Sequence, residues 1–171
     1  MTPWLHIVGM GEDGMDGLSA ATRAVVEAAE VIIGGHRHHR LSDQIAAERI
    51  AWPHPFDALI GTLDGLRGKR VVVLATGDPL WFSVGARIGR AIAPGEITYH
   101  PQLSAFQLAA VRMGWSMADV ETLTVHGRPV EQMIAFIQPA QRLLILTTGS
   151  ETPGQIAAFL TERGFGDSPM T

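Results

Sequence analysis

The sequence predicts an α/β protein made of two lobes. Three observations carry this reading. Short apolar runs bounded by glycine recur at Leu5–Val8, Val31–Ile33, Val71–Ala75 and Leu143–Leu146, which suits strands buried on both faces of a parallel sheet. Between them lie segments with apolar residues at three-to-four spacing, so strands alternate with helices. Glycine-rich turns follow the first and third runs, at the strand ends where open α/β sheets bind their ligands.

The elements follow in chain order. The run "LHIV" leads into Gly9, Gly11 and Gly14, a G-x-G-x-x-G spacing. Leu18, Ala21, Val25, Ala28 and Ala29 then form one helix face, with Ser19 or Asp16 as its cap. The second run ends in Gly34, Gly35 and the basic tract "HRHHR". The third passes through Thr76, Gly77, Asp78 and Pro79 into a helix marked by Trp81, Gly85, Ile88 and Ile92. There Asp78 reads as the N-cap and Pro79 as the first helical residue. Leu103, Phe106, Ala110 and Met113 mark the next helix, and Ser104 followed by Gln107 is a capping-box pair. A strand "LTV" precedes His126 and Arg128, and the strand "LLILT" ends at Thr147. The last helix starts with Pro153 inside its first turn and stops at Gly164. The lobe boundary is placed near Gly114, giving lobes of residues 1–114 and 115–171.

Composition excludes several classes. Of 171 residues, 46% are hydrophobic and 18% charged, which is ordinary for a globular chain. Thirteen basic residues stand against seventeen acidic ones, and Lys69 is the only lysine, so no nucleic-acid surface is expected. The absence of cysteine removes disulfides, thiolate metal sites and a cysteine nucleophile. No leader is read at Met1–Trp4, and no apolar run reaches the roughly 18 residues that span a bilayer. A cytoplasmic protein without a membrane partner is therefore expected.

The first glycine turn is an incomplete dinucleotide fingerprint. Such a site needs an acidic residue about twenty positions on, at the end of the second strand. Gly34, Gly35 and His36 occupy that place, and Glu30 lies at the strand's start. The turn either shapes a βα joint or serves another ligand. Asp78 is likewise a cap or a ligand contact.

Together, "HIVGMGEDG", "LATGDPLWFSVGARI" and "YHPQLSAFQLAAVRMGW" resemble the tetrapyrrole methylase family, which transfers methyl groups from S-adenosylmethionine to precorrins and related substrates. "AEVIIGGHRHHRL", "LTVHGRP" and "LLILTTGSETPGQIAAFLTERG" look like the branch that methylates precorrin-6Y (precorrin-6B) at C5. In that branch this segment is the N-terminal half of a decarboxylating chain, and the C-terminal half methylates C15. The resemblance implies a fold of two α/β lobes with the cofactor cleft between them. Carried over by position, cofactor contacts fall on Gly77, Asp78, Trp81, Ser104, Ala105 and Thr147, while Gly9 and Gly11 line the substrate side. Relatives often carry Pro-Gly and a Ser-Ser or Thr-Ala pair where this chain has Pro101-Gln102 and Ser104-Ala105. The family continues with another strand after the final helix, whereas this chain stops at "GDSPMT", so an incomplete second lobe is expected. A homodimer is also implied, with Trp52, Phe56 and Trp115 as large apolar residues in loops.

Methyl transfer from a sulfonium is an in-line displacement that needs alignment and exclusion of water rather than a protein nucleophile. Asp13, in the glycine loop, is the candidate proton acceptor or else a solvated carboxylate. A polycarboxylate substrate calls for a basic rim, and His36, Arg37, His38, His39 and Arg40 offer one, with Arg37 and Arg40 as carboxylate clamps. A solvated helix face and a metal-binding histidine tract are the other readings. No carboxylate or cysteine stands beside these histidines, and no metal is expected. His126 and Arg128 form a second clamp or cap local carbonyls. The rival functions are methylation of a different ring position and a non-catalytic nucleotide-binding module.

Overall fold

The computed structural model describes residues 3–171. Met1 and Thr2, where the segment read for a leader begins, lie outside the described residues. The chain divides into two compact units between Ala105 and Phe106. The division falls at the start of the helix expected to close the first lobe, not at Gly114 beyond its end.

In the first unit, β1 (Leu5–Met10), β2 (Val31–Gly34), β3 (Glu48–Ala51), β4 (Val71–Thr76) and β5 (Ile97–His100) form a sheet of order β3-β2-β4-β1-β5. Every pairing is parallel, with Leu5 opposite both Val71 and Ile97. Helices α1 (Ala20–Glu27), α2 (His36–Leu41), α3 (Leu59–Asp64) and α4 (Val84–Ile88) cover the two faces. On one face Leu5, Ile7, Val31, Ile33, Val71 and Val73 pack with Leu59, Leu63 and Ile88 of α3 and α4. On the other, Val8, Met10, Ile32, Val72 and Leu74 pack with Val26 of α1 and Leu41 of α2. Burial on both faces explains why β1, β2 and β4 read as continuous apolar runs. Ser19 caps α1, its hydroxyl oxygen accepting the Thr22 N–H at 3.2 Å.

The expected helix start at Pro79 is corrected. The Asp78 carboxylate accepts the Leu80 N–H at 2.7 Å and closes a local turn. The chain then passes through Phe82, at φ 51°, before α4 begins at Val84. Asp78 therefore caps a turn rather than a helix. Gly85 allows the return, because a Cβ there would run into the Pro79 carbonyl.

The second unit contains all of α5 (Ala105–Met113) but its first residue, the parallel pair β6 (Glu121–Thr124) and β7 (Leu143–Leu146), and α6 (Thr152–Thr161). Leu123, Val125, Met133, Ile156 and Phe159 form its core. Gly164, at φ 82°, closes α6, with its N–H donating to the Thr161 carbonyl at 3.1 Å and the Phe165 N–H to that of Leu160 at 2.9 Å.

β1 and β4 are neighbours, yet the chain leaves β1 for α1 on one face and β4 for α4 on the other. This is the switch point at which open sheets bind ligands. Backbone meets backbone there. The Gly77 N–H donates to the Met10 carbonyl at 3.2 Å. A Cβ on Gly9 would overlap the Gly77 carbonyl and lie 2.9 Å from the Gln102 nitrogen. A Cβ on Gly77, at φ 64°, would lie 2.9 Å from the Ser104 Cα. Because the obstructing atoms are main chain, Gly9→Ala should destabilise the protein by about 3 kcal/mol, the upper end of the usual overpacking cost. Gly95→Ala, with open space around the added methyl, should stay within about 0.5 kcal/mol. Urea unfolding of the two variants checks this, and equal midpoints would refute the crossing as a packing constraint.

Candidate active site

The carboxyl edge of the first sheet brings together the loops after β1, β2, β4 and β5. Gly9 is fully buried beneath the Gly77 carbonyl, so its contribution is to the shape of this floor. Gly11 is half-buried, and a Cβ there would lie 2.5 Å from Asp13 Oδ1. The Asp13 carboxylate also stands against Gly17, so the exposed Asp13 side chain folds back over its own loop. Gln102, in the place where relatives often carry glycine, donates from Nε2 to the Gly17 carbonyl at 2.8 Å. That bond ties the β5–α5 connection to the glycine loop. Ser104 is buried against Gly77, and Ala105 opens α5. Asp78 and Trp81 are half-buried in the loop before α4.

The expected rim of five basic residues is corrected at α2, where two of the histidines turn inward. His38 is buried, with its Nδ1 accepting the Gly35 N–H at 3.3 Å. The ring proton therefore sits on Nε2, 3.1 Å from the Thr76 hydroxyl oxygen. Burial, with Arg37 and then His39 beside it, pushes the His38 pKa down to about 4, so the ring is neutral at physiological pH. His39 Nε2 donates to the Ile50 carbonyl at 3.1 Å, which commits this side chain to β3. Outward there remain His36, Arg40 and the part-exposed Arg37, which pairs with Glu12 at 2.7 Å.

The second unit carries the other sequence-predicted residues. His126 is exposed, with Nδ1 2.8 Å from the Thr148 hydroxyl. Arg128 is exposed on the turn after Val125, and Thr147 is exposed just beyond β7. Sequence reasoning missed three features. Thr76 closes β4 next to Gly77, a position that only the following Gly-Asp-Pro could have flagged. Gln102 was visible only as a departure from the family pattern. His6 and His100 lie 3.1 Å apart on neighbouring strands, and burial lowers both pKa values. Nothing in the sequence relates those two positions.

The dinucleotide reading finds no support at Glu30. Its carboxylate accepts the Arg70 N–H at 2.8 Å and pairs with the Arg70 side chain at 3.6 Å, at the opposite end of β2 from the glycine loops.

A profile of the Tetrapyrrole (Corrin/Porphyrin) Methylases matches residues 4–171. The chain is 39% identical to a precorrin-6Y C(5,15)-methyltransferase [decarboxylating] of a Sinorhizobium species, over 100% of this chain and 42% of that protein. It is 30% identical to a cobalt-precorrin-7 C(5)-methyltransferase of Salmonella typhimurium, over 97% of this chain and 82% of the relative. The crystal structure of a cobalamin-biosynthesis precorrin-6Y methylase from Archaeoglobus fulgidus superposes with a TM-score of 0.58 at 26% identity, covering 84% of this chain and 72% of that one.

The neutral His38 makes stability depend on acid. Its folded pKa of about 4 lies below the ordinary value of 6.5, so the unfolded chain binds the proton more readily. The stabilisation is complete above pH 6.5 and is lost as pH falls toward 4. The urea midpoint of the protein should drop through that window, and His38→Gln, which has no titrating ring, should show a shallower drop. Parallel pH profiles would show that His38 is not buried neutral.

Proposed function

The chain belongs to the tetrapyrrole (corrin/porphyrin) methylase family, and on that premise we propose that it transfers the methyl group of S-adenosylmethionine to C5 of a precorrin-6Y-type substrate in cobalamin biosynthesis. The observation that carries this reading is the glycine crossing. Gly77, Asp78, Ser104 and Ala105, the first-unit residues that match the family's cofactor positions, except Trp81, meet at one end of one sheet around it. Both relatives described above are named for methylation at C5.

The residues fit an adenosyl cofactor at this edge. Gly77, at φ 64°, packs directly against the Ser104 backbone, where a Cβ would lie 2.9 Å from the Ser104 Cα, so this edge presents main chain, and the loop from Asp78 through Trp81 to Phe82 borders it. When bound, the sulfonium supplies an activated methyl group. The protein's part is to align donor and acceptor and to keep water away. Trp81 lies beside the Gly-Asp-Pro turn as an apolar wall, and Thr147 is assigned a cofactor contact by its family position. Gly11 borders the substrate, with Gly9 as the floor beneath. Arg37, Arg40, His126 and Arg128 are assigned to the substrate carboxylates, since guanidinium groups match carboxylates in bidentate geometry. Asp13, exposed in the glycine loop, is the proton acceptor in this reading.

The chain spans about two fifths of the length of the decarboxylating relative. In the proposal, C15 methylation and loss of carbon dioxide belong to a separate C-terminal half in the same polypeptide. A homodimer and a cytoplasmic location complete the reading. Among the described residues no helix is long and apolar enough to cross a membrane. Trp52, Phe56 and Trp115, the large apolar loop residues beside that expectation, have partners in their own chain: Trp52 meets Phe56 edge-on at 5.6 Å, and Arg142 stacks over Trp115 at 5.3 Å.

Incubation with precorrin-6B and methyl-labelled S-adenosylmethionine tests the reaction. A single label at C5 with the acetate arm intact is expected; label at another ring position, or release of carbon dioxide, would refute it. Asp78→Asn separates the turn from the ligand. It keeps the oxygen that accepts the Leu80 N–H and loses the charge, so stability should change by less than about 0.5 kcal/mol. Affinity for S-adenosylhomocysteine should fall about tenfold, as for a lost hydrogen bond to a charged group. Unchanged affinity in calorimetry would leave Asp78 as a turn residue only.

A further inference from the structure

Resting on that reading of the site, we propose that Thr76 and Arg37 together receive a carboxylate of the bound ligand, and that His38 is the positioning residue that turns the Thr76 hydroxyl proton toward it. The argument is one of hydrogen-bond capacity. Gly35 donates its N–H to His38 Nδ1 at 3.3 Å, which leaves the single proton of the neutral ring on Nε2. Nε2 donates to Thr76 Oγ1 at 3.1 Å. Arg37 Nη1 donates to the same oxygen at 3.4 Å. A hydroxyl has two lone pairs and one proton. With both lone pairs occupied by donors, Thr76 has only its O–H left, and that bond points to an acceptor.

The surroundings say which acceptor. Thr76 is exposed, at the last position of β4 and next to Gly77. Arg37 brings a positive charge to the same oxygen, so the group that completes the arrangement carries negative charge. Glu12 now pairs with Arg37 at 2.7 Å, but its side chain is 88% exposed. Such a surface pair holds weakly and yields readily to a ligand carboxylate. A carboxylate accepting from a guanidinium and a hydroxyl makes two charge-assisted hydrogen bonds.

His38 is held firmly enough to direct the hydroxyl. Its carbonyl accepts from Ser42 Oγ at 2.9 Å, and Arg49 Nη1 donates to Ser42 Oγ at 2.8 Å. Gly34 lets the ring approach the strand, for a Cβ there would lie 3.1 Å from that of His38.

Two ligands present this chemistry: the side arms of a tetrapyrrole polycarboxylate and the amino-acid carboxylate of the adenosyl cofactor. Titrations of the protein with S-adenosylhomocysteine, by calorimetry, and with uroporphyrin, by fluorescence, distinguish them. Thr76→Val should weaken one of the two about tenfold, and Thr76→Ser should restore it. His38→Leu should weaken the same ligand and His38→Gln, which keeps a donor at the Nε2 position, should restore it. In the Thr76→Val background, His38→Leu should add nothing, because it acts through the missing hydroxyl. The ligand that responds identifies the carboxylate. Thr76→Val binding both ligands as tightly as the unaltered protein would overturn the proposal while leaving the methylase reading intact. Full additivity of the two substitutions would overturn the positioning role. An unaltered protein that binds neither ligand would overturn both readings together.

Discussion

Three stretches of main chain meet where Gly9, Gly77 and Ser104 cross, and the rest of the site depends on that contact. At two of its positions a single added carbon would collide with backbone, which cannot rotate aside as a side chain can. The crossing fixes the ends of β1 and β4 relative to the segment that follows β5, from Gln102 to Ser104, through atoms common to every residue. Asp78 then turns away from the sheet at a set angle, held by the Leu80 N–H. Close packing of this kind transmits displacement rather than absorbing it. A reaction that relies on alignment more than on a reactive side chain gains most from such a floor.

Helix α2 shows how one short segment divides its labour by direction. Its six residues are almost all basic, yet the structure uses them oppositely. His38 and His39 turn inward to Thr76 and the Ile50 carbonyl, while Arg37 and Arg40 stay toward solvent. Inward histidine is tolerable because burial keeps the His38 ring uncharged. The far end of α2 is secured from β3. The Arg49 guanidinium donates to the carbonyls of His39, at 3.3 Å, and Ile45, at 2.9 Å, as well as to Ser42. The Ser42 and Ile45 carbonyls also accept the Ile45 and Ala47 N–H groups, each at 3.1 Å, so the guanidinium adds a second donor to each.

That dependence also explains what could and could not be read from the sequence. β1, β2 and β4 were legible because both faces are buried, and β7 because its run is wholly apolar. β3 and β5 sit at the two edges of the sheet. Their residues are half-buried or exposed apart from Ile97, so neither an apolar run nor a strict alternation marks them. The start of α4 was misplaced because Asp78 can cap a helix or close a turn, and only the fold of residues 79–83 decides between them. At the site, Gly9, Gly77, Asp78 and Ser104 were legible as motif positions. Thr76 and His38 were not, since a histidine in a basic tract carries no sign of the side to which its helix turns it. That side is set by Gly34 and Gly35, whose missing side chains let α2 lie against β4 and Trp52.

The same glycines settle where charge is found at this edge. Gly9, Gly34 and Gly77 are buried where their strands end or the following turn begins, and Gly11 and Gly35 follow half-buried, so the innermost surface is peptide rather than side chain. Backbone groups carry fixed dipoles and no titratable proton. Beyond them stand the Arg37 guanidinium and His38, which stays neutral until the pH approaches 4. The polarity of the Arg37–His38–Thr76 corner is therefore written into the chain and does not follow the pH across the range in which an exposed histidine would switch. A corner of constant charge beside a backbone floor is suited to holding an anion in one orientation. Reorientation would require Thr76 to give up a donor that already occupies one of its lone pairs.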